Sequence, residues 1–249
     1  MSIVPIISFC AHVAVNGWLL LILWRQGTVR QLPWFSCYIA SELLGACVGS
    51  SLFFFDRKLY VVVFWCLAAA QIGLVVGAVR ESFVRTFVGF GSLQWFPWLL
   101  RSVIGGVLAY SVWKAIFAPP VHNNRIISLI VAGEFTFRWG IIAVGLLSLA
   151  LAWLFKLPKG TREMAVIDGC TIASTAFLVV IGSRSLFGTR FSAVMQYIPE
   201  VGYLLAAYIW IKFISASRSD AGFKDLGLTP EQMETELKRY RRAAERLLG

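Results

Sequence analysis

Long apolar blocks separated by short polar turns make up most of this chain. A helix needs about 20 predominantly apolar residues to cross the hydrocarbon of a bilayer. Seven blocks approach or exceed this length: residues 4–24, 34–55, 59–79, 99–117, 126–155, 164–183 and 191–213. The pattern predicts an all-α polytopic integral membrane protein, with a seven-transmembrane-helix bundle over residues 1–215 and a cytoplasmic tail over residues 216–249.

Composition supports this class. Hydrophobic residues make up 58% of the chain and charged residues only 14%, whereas a soluble domain is about 25% charged. The net charge is +10. Many of the basic residues flank apolar blocks or fall in the tail, which favours contact with the lipid bilayer and its anionic headgroups over a nucleic-acid partner.

Lysine and arginine also predict the orientation. With the N-terminus outside, the inner segments hold 16 of these residues and the outer segments 6. Because short cytoplasmic loops are enriched in Lys and Arg, we expect an inner-membrane protein with a cytoplasmic C-terminus. The first block lacks the basic start and small-residue site of a signal peptide, so we expect it to be retained.

The tail is predicted to form an amphipathic helix over about residues 230–248, with Thr229 as its cap and Pro230 in its first turn. Its apolar face comprises Met233, Leu237 and Tyr240, and its basic residues include Lys238, Arg239, Arg241 and Arg242. Such a helix can lie on the anionic inner face of the membrane or bind a protein partner. A solvated helix without a partner is the alternative.

Ten polar or ionisable side chains fall within the apolar blocks: His12, Asn16, Glu42, Gln71, Glu134, Arg138, Asp168, Gln196, Glu200 and Tyr203. Polar groups within a membrane are energetically costly, so they usually face the bundle interior and often mark function. Three interpretations stay open: interhelical packing, which the sequence favours, a ligand or ion cavity, and catalysis.

The fifth block is longer than one crossing needs, and it contains Glu134 and Arg138. These residues are four positions apart, share a helical face and can neutralise each other. A count of about 20 residues back from Lys156 places Arg138 just inside the outer boundary. Glu42 and Glu200 are then the deepest acids, and Arg138 is the one cation expected to reach Glu200.

Catalysis has the least support, and we expect no enzyme, cofactor or metal. The sequence contains two histidines and lacks HExxH, GxSxG and Walker motifs. Its five cysteines form no CxxC pair, which argues against a zinc site or a disulfide framework. The last block has no lysine before Lys212, at its inner end, for a retinal Schiff base.

Two glycine pairs, Gly45 with Gly49 and Gly73 with Gly77, have the GxxxG spacing that lets helices approach closely. We expect them to pack within the monomer more than between copies.

The stretches LPWFSCYIASELLGACVGS and LYVVVFWCLAAAQIGLVVGAVRESF carry Tyr38, Tyr60, Trp65 and Glu81. They resemble a pattern in uncharacterised bacterial seven-span integral membrane proteins. The resemblance implies a bacterial inner-membrane protein and no particular activity.

These observations predict a non-enzymatic, sensor-like or accessory membrane protein with a small polar cavity inside the helix bundle. One alternative is a transporter or channel-like protein that uses Glu42 and Glu200. Another is a structural subunit of a larger membrane complex.

Overall fold

The computed structural model is helical almost throughout the residues that it describes. These are residues 3–55, 57–87, 125–154, 160–187 and 197–216, with single positions 98, 101, 102, 105, 106, 109, 110, 113, 117, 157, 195 and 238. Seven helices are bounded within them: α1 (Ile3–Arg25), α2 (Thr28–Gln31), α3 (Pro33–Phe55), α4 (Arg57–Thr86), α5 (Arg125–Leu154), α6 (Arg162–Phe187) and α7 (Ile198–Ala216).

Four of the described helices are long and apolar enough to cross a membrane. The qualifying stretches are Leu59–Thr86 in α4, Gly133–Leu154 in α5, Arg162–Ser183 in α6 and Ile198–Ala216 in α7. In α1, Phe9–Arg25 is a shorter apolar stretch. The predicted all-helical membrane protein is therefore confirmed.

Parts of the predicted organisation lie outside the described residues. These parts are most of the block 99–117, Gln196, and the tail residues Met233, Leu237, Arg239, Tyr240, Arg241 and Arg242. Lys238 is described, and it is helical and exposed.

Contacts near both ends of two helix pairs establish their relative directions. In α1 and α7, Asn16 meets Tyr203 and Gln26 meets Ser215, so these helices are parallel. In α3 and α4, the backbone N–H of Trp34 donates to Glu81, whereas Gly45 lies beside Gln71. These two helices are therefore antiparallel.

The remaining directions follow in the same way. α5 and α6 are antiparallel, since Arg138 meets Phe177 and Gly145 meets Thr171. Arg162, at the start of α6, donates to Thr28 just before α3, so α3 and α6 begin at the same end of the bundle. Consequently α4 and α5 run parallel, and their C-terminal ends lie beside the N-terminal ends of α3 and α6.

Trp210 of α7 is the largest fully buried side chain at this end of the bundle. Its ring centroid lies 5.2 Å from Phe35, 6.3 Å from Tyr38 and 5.9 Å from Tyr203, each in an edge-on arrangement. Such offset aromatic contacts are favourable beyond simple area burial. Gly169 of α6 leaves room for the indole, since a Cβ there would collide with it. One aromatic cluster therefore joins α3, α6 and α7.

The start of α3 is capped by a side chain from α4. Pro33 occupies the first turn, and the Trp34 N–H donates to the Glu81 carboxylate at 3.1 Å. This contact satisfies a backbone donor that has no partner within its helix, and it places a negative charge at the positive helix end. The Trp34 ring lies over Gly77, so one glycine of the predicted pair on α4 packs within the chain.

Gly202 on α7 tests how closely the helices must pack. A Cβ at this position would collide with the Ala176 side chain on α6, whereas a Cβ at Gly182 would meet nothing within 4 Å. We expect Gly202→Ala to lower the free energy of unfolding by about 1–3 kcal/mol, because a packed interface has no space for another methyl group.

Unfolding of purified protein in detergent measures this effect, and Gly182→Ala is the matched control. The control should leave stability unchanged or raise it slightly, because alanine favours helix. Equal stabilities of the two variants would contradict the close approach of α6 and α7.

Candidate polar cavity within the helix bundle

A small cavity opens between α3, α4, α5 and α6. Its volume is about 70 Å³, which is room for about two water molecules at roughly 30 Å³ each. Its polar or titratable wall comprises Tyr38, Glu42, Gln71, Glu134, Arg138, Cys170 and Ser174. Four of the residues singled out from the sequence therefore meet at one place, contributed by three different helices.

Arg138 and Glu134 form an ion pair on α5. The guanidinium donates from Nη2 to Glu134 Oε1 at 2.6 Å and from Nε to the same oxygen at 3.3 Å. The Arg138 guanidinium carbon also lies 3.7 Å from the ring centroid of Phe177 on α6. An arginine over an aromatic face gains a cation–π attraction that is larger when water is excluded. The ion pair and the stacking together hold Arg138 in place.

Glu42 approaches the same guanidinium from α3. It follows Tyr38 by four residues, so the two side chains share a helical face, and the Tyr38 hydroxyl is close enough to hydrogen-bond to the carboxyl group. Arg138 and Glu134 are its charged neighbours. The Arg138 guanidinium therefore lies close to two carboxyl groups, those of Glu42 and Glu134.

Two neutral side chains of the cavity wall add polar groups. Ser174 on α6 is only 2% exposed, and among the described residues its hydroxyl has no hydrogen-bond partner. The neighbouring hydroxyls behave differently, because Thr171 and Thr175 donate to the carbonyls four residues earlier, Ile167 and Thr171. The Gln71 amide of α4 likewise faces the cavity without a hydrogen bond to a described residue.

The depth expected for Arg138 stays a prediction, and the structure gives its position along α5. Arg138 lines one cavity with Glu42 and Gln71, near the middle of α5. The count of about 20 residues back from Lys156 leaves the start of α5, from Arg125, beyond one crossing length. Across the bundle, Arg138 faces Glu42, whereas Glu200 lies beside His12.

The other predicted residues form a second polar group, between α1 and α7. The Tyr203 hydroxyl donates to Asn16 Oδ1 at 2.5 Å. The His12 ring stacks on the Tyr203 ring, with centroids 4.9 Å apart and planes at 17°. Asn16 is fully buried, and its Nδ2 has no partner among the described residues. Asp168 is half-buried on α6 and lines neither group.

Sequence reasoning missed Tyr38, Ser174 and Phe177. Tyr38 had a usable signal, since it precedes Glu42 by one helical turn. Ser174 had none, because a serine in an apolar helix usually bonds to its own backbone. Phe177 meets Arg138 only through the packing of α5 on α6.

Comparison with known protein families, curated proteins and solved structures finds no match to this chain. No relative therefore indicates a role for the cavity, and its chemistry must be read from its own residues. Among the described residues, no three His, Cys, Asp or Glu side chains come together as a metal-binding group. The cavity offers carboxyl, hydroxyl and amide groups to water or a small polar ligand.

We expect Arg138→Gln to lower the free energy of unfolding by about 1–3 kcal/mol, because it leaves two partly buried carboxyl groups without their cation. The Glu134→Gln/Arg138→Gln double variant should recover much of this loss, since it removes both charges. Unfolding of the single and double variants gives the coupling free energy.

The Glu81–Arg85 pair is the control, because it has the same spacing; Arg85 is 42% exposed, whereas Glu81 is 10% exposed and keeps the Trp34 N–H as a partner when Arg85 is replaced. Arg85→Gln should change stability by no more than about 1 kcal/mol. Additive effects of the Glu134 and Arg138 substitutions would show that the two charges do not depend on each other.

Proposed function

We propose that this chain is a non-enzymatic, sensor-like protein of the inner membrane, with seven spans and a small ligand site in the cavity. The convergence of Glu42, Gln71, Glu134 and Arg138 on one space of about 70 Å³ carries the proposal. That volume suits water or an ion, whereas drug-sized ligands occupy pockets of about 300–1,000 Å³.

The helix directions support seven spans. α4 ends at the end of the bundle where α3 and α6 begin, and α5 starts at the opposite end. On this proposal the chain between Thr86 and Arg125 returns across the bundle. The described positions within it are helical, and Trp98, Tyr110, Trp113 and Phe117 are exposed, as suits a helix facing lipid. These positions support the proposal that this segment is the crossing expected for the block 99–117.

Basic residues support the proposed orientation. Within α1–α7, six lie toward one end of the bundle: Arg25, Arg30, Arg80, Arg85, Arg162 and Lys212. Four lie toward the other: Arg57, Lys58, Arg125 and Arg184. The first end is also where α7 leads into the basic tail. The positive-inside rule makes this end cytoplasmic.

Reporter fusions test the crossing. Green fluorescent protein should fluoresce when fused after Phe87 or after Ala216, because both positions are expected in the cytoplasm. Alkaline phosphatase should be active only when fused after Asn124, on the outer side. Inactive phosphatase at Asn124, with the fusion stably produced, would show that residues 88–124 do not cross the membrane.

The tail is the proposed output of the sensor. A change of charge in the cavity would alter the packing of α7 and hence the tail that follows Ala216. On this proposal the tail then binds anionic lipid at the inner face or a protein partner.

Trypsin cleavage of the tail tests the link between cavity and tail. Glu42→Gln removes one cavity charge, and we expect it to change the rate of cleavage after tail lysines and arginines by severalfold in reconstituted protein. Asp168→Asn is the matched control, because it removes an acid of α6 that lies outside the cavity. Equal rates in wild type, Glu42→Gln and Asp168→Asn would contradict a sensor.

The same proteoliposomes distinguish a transporter. A sensor should pass no more sodium or protons down a gradient than empty liposomes do. Flux that disappears in Glu42→Gln would assign the cavity to transport instead.

A further inference from the structure

We propose that the cavity binds one monovalent cation, either a sodium ion or a proton, at the Glu42 carboxylate. The Ser174 hydroxyl and the Gln71 amide oxygen supply neutral oxygens to this ion or to the water that accompanies it. This inference rests on the proposed function, because it names the ligand class of the same cavity.

Three charged side chains line the cavity. Glu42 and Glu134 bring two carboxylates and Arg138 one guanidinium, so the ionised site has one negative charge in excess. Within a membrane an uncompensated charge is costly. One monovalent positive charge neutralises the site. The 2.6 Å contact of Arg138 with Glu134 leaves Glu42 as the carboxylate in excess.

Other titratable groups around Glu42 do not supply this charge. Across the helices packed about it, these groups are Tyr38 on α3, Cys170 on α6, Tyr203 on α7, and Glu134 and Arg138 on α5. Tyrosine and cysteine are neutral at physiological pH in their ordinary state. On α4 the cavity is lined by Gln71 and apolar side chains.

Ser174 provides a second, independent indication of a ligand. Buried hydroxyl groups nearly always have a hydrogen-bond partner in folded proteins. Ser174 is only 2% exposed and lines the cavity, yet among the described residues no hydrogen bond of its side chain is seen, and its oxygen is not among the fully enclosed atoms, so it is open to the cavity. It also forgoes the bond to the preceding turn that Thr171 and Thr175 both make. A ligand or an ordered water in the cavity would satisfy it.

Size and ligand type restrict the occupant further. A space of about 70 Å³ holds about two particles the size of water, at roughly 30 Å³ each. An anion would face two carboxylates. A divalent ion would leave one positive charge in excess at this site, and no three acidic or metal-binding side chains gather among the described residues. A single monovalent cation with one water fits both the charge and the space.

Thermal unfolding of the full chain in nanodiscs tests the proposal. Wild type is measured in sodium chloride and in choline chloride of equal concentration, across a series of pH values. If sodium is the cation, Tm rises saturably with sodium over choline. If a proton is the cation, the two salts give equal Tm values, and Tm rises as pH falls.

Three variants connect the effect to the cavity. Either response should disappear in Glu42→Gln and persist in Asp168→Asn. In Ser174→Ala the sodium midpoint should become about tenfold weaker, since an oxygen that coordinates the ion or its water is lost; for a proton, the pH midpoint should shift. Ser174→Ala also keeps the test usable if Glu42→Gln does not fold.

The proposal is overturned if wild type shows neither response, or if the response is unchanged in Glu42→Gln or in Ser174→Ala. Its failure is separable from failure of the sensor function. Cation-dependent Tm without any change in tail cleavage would leave the binding site in place and contradict only the output.

Discussion

The packing of α3, α5 and α6 around the cavity centres on one guanidinium. This group, on Arg138, lies close to the carboxyl groups of Glu134 and Glu42. Arg138 and Glu134 sit one turn apart on α5, so this helix carries its own neutralising pair. Glu42 on α3 lies close to the same guanidinium, and the ring of Phe177 on α6 stacks on that guanidinium. Because a charge in hydrocarbon must be paired or solvated, the positions of three helices are tied to this one side chain.

The side chains between the helices differ along the bundle, and a cavity remains at the level of Arg138. Toward the end where α3 begins, Trp210 fills the space between helices, and Gly169 makes room for it. Elsewhere α5 and α6 approach through Gly145. At the cavity, the apolar part of the wall includes the small side chains of Ala68 and Ala173 beside larger ones such as Ile72 and Phe137. Lipid is as apolar as leucine, so shape and polar contacts, more than the hydrophobic effect, determine this arrangement.

The helices and the polar residues could be predicted from the sequence, whereas their grouping could not. Hydropathy indicates a helical membrane protein, and the cost of burial singles out Glu42, Gln71 and Arg138. Hydropathy does not show that Glu200 lies close to His12. The rotation of each helix about its axis is determined by contacts such as that of Gly202 with Ala176. Depth counted from one end of the fifth block stays a prediction, because α5 is longer than a single crossing needs.

The two polar groups meet the same aromatic cluster, and the proposed sensor, as opposed to a conducting protein, makes use of this contact. Tyr38 touches Glu42 on one side and Trp210 on the other. Trp210 also packs against Tyr203, which bonds to Asn16. A change of charge at Glu42 would therefore be felt by the aromatic side chains of α7, the helix that leads into the tail. A conducting path needs polar groups or water between its sites, whereas here the described link between the two groups is a set of packed rings.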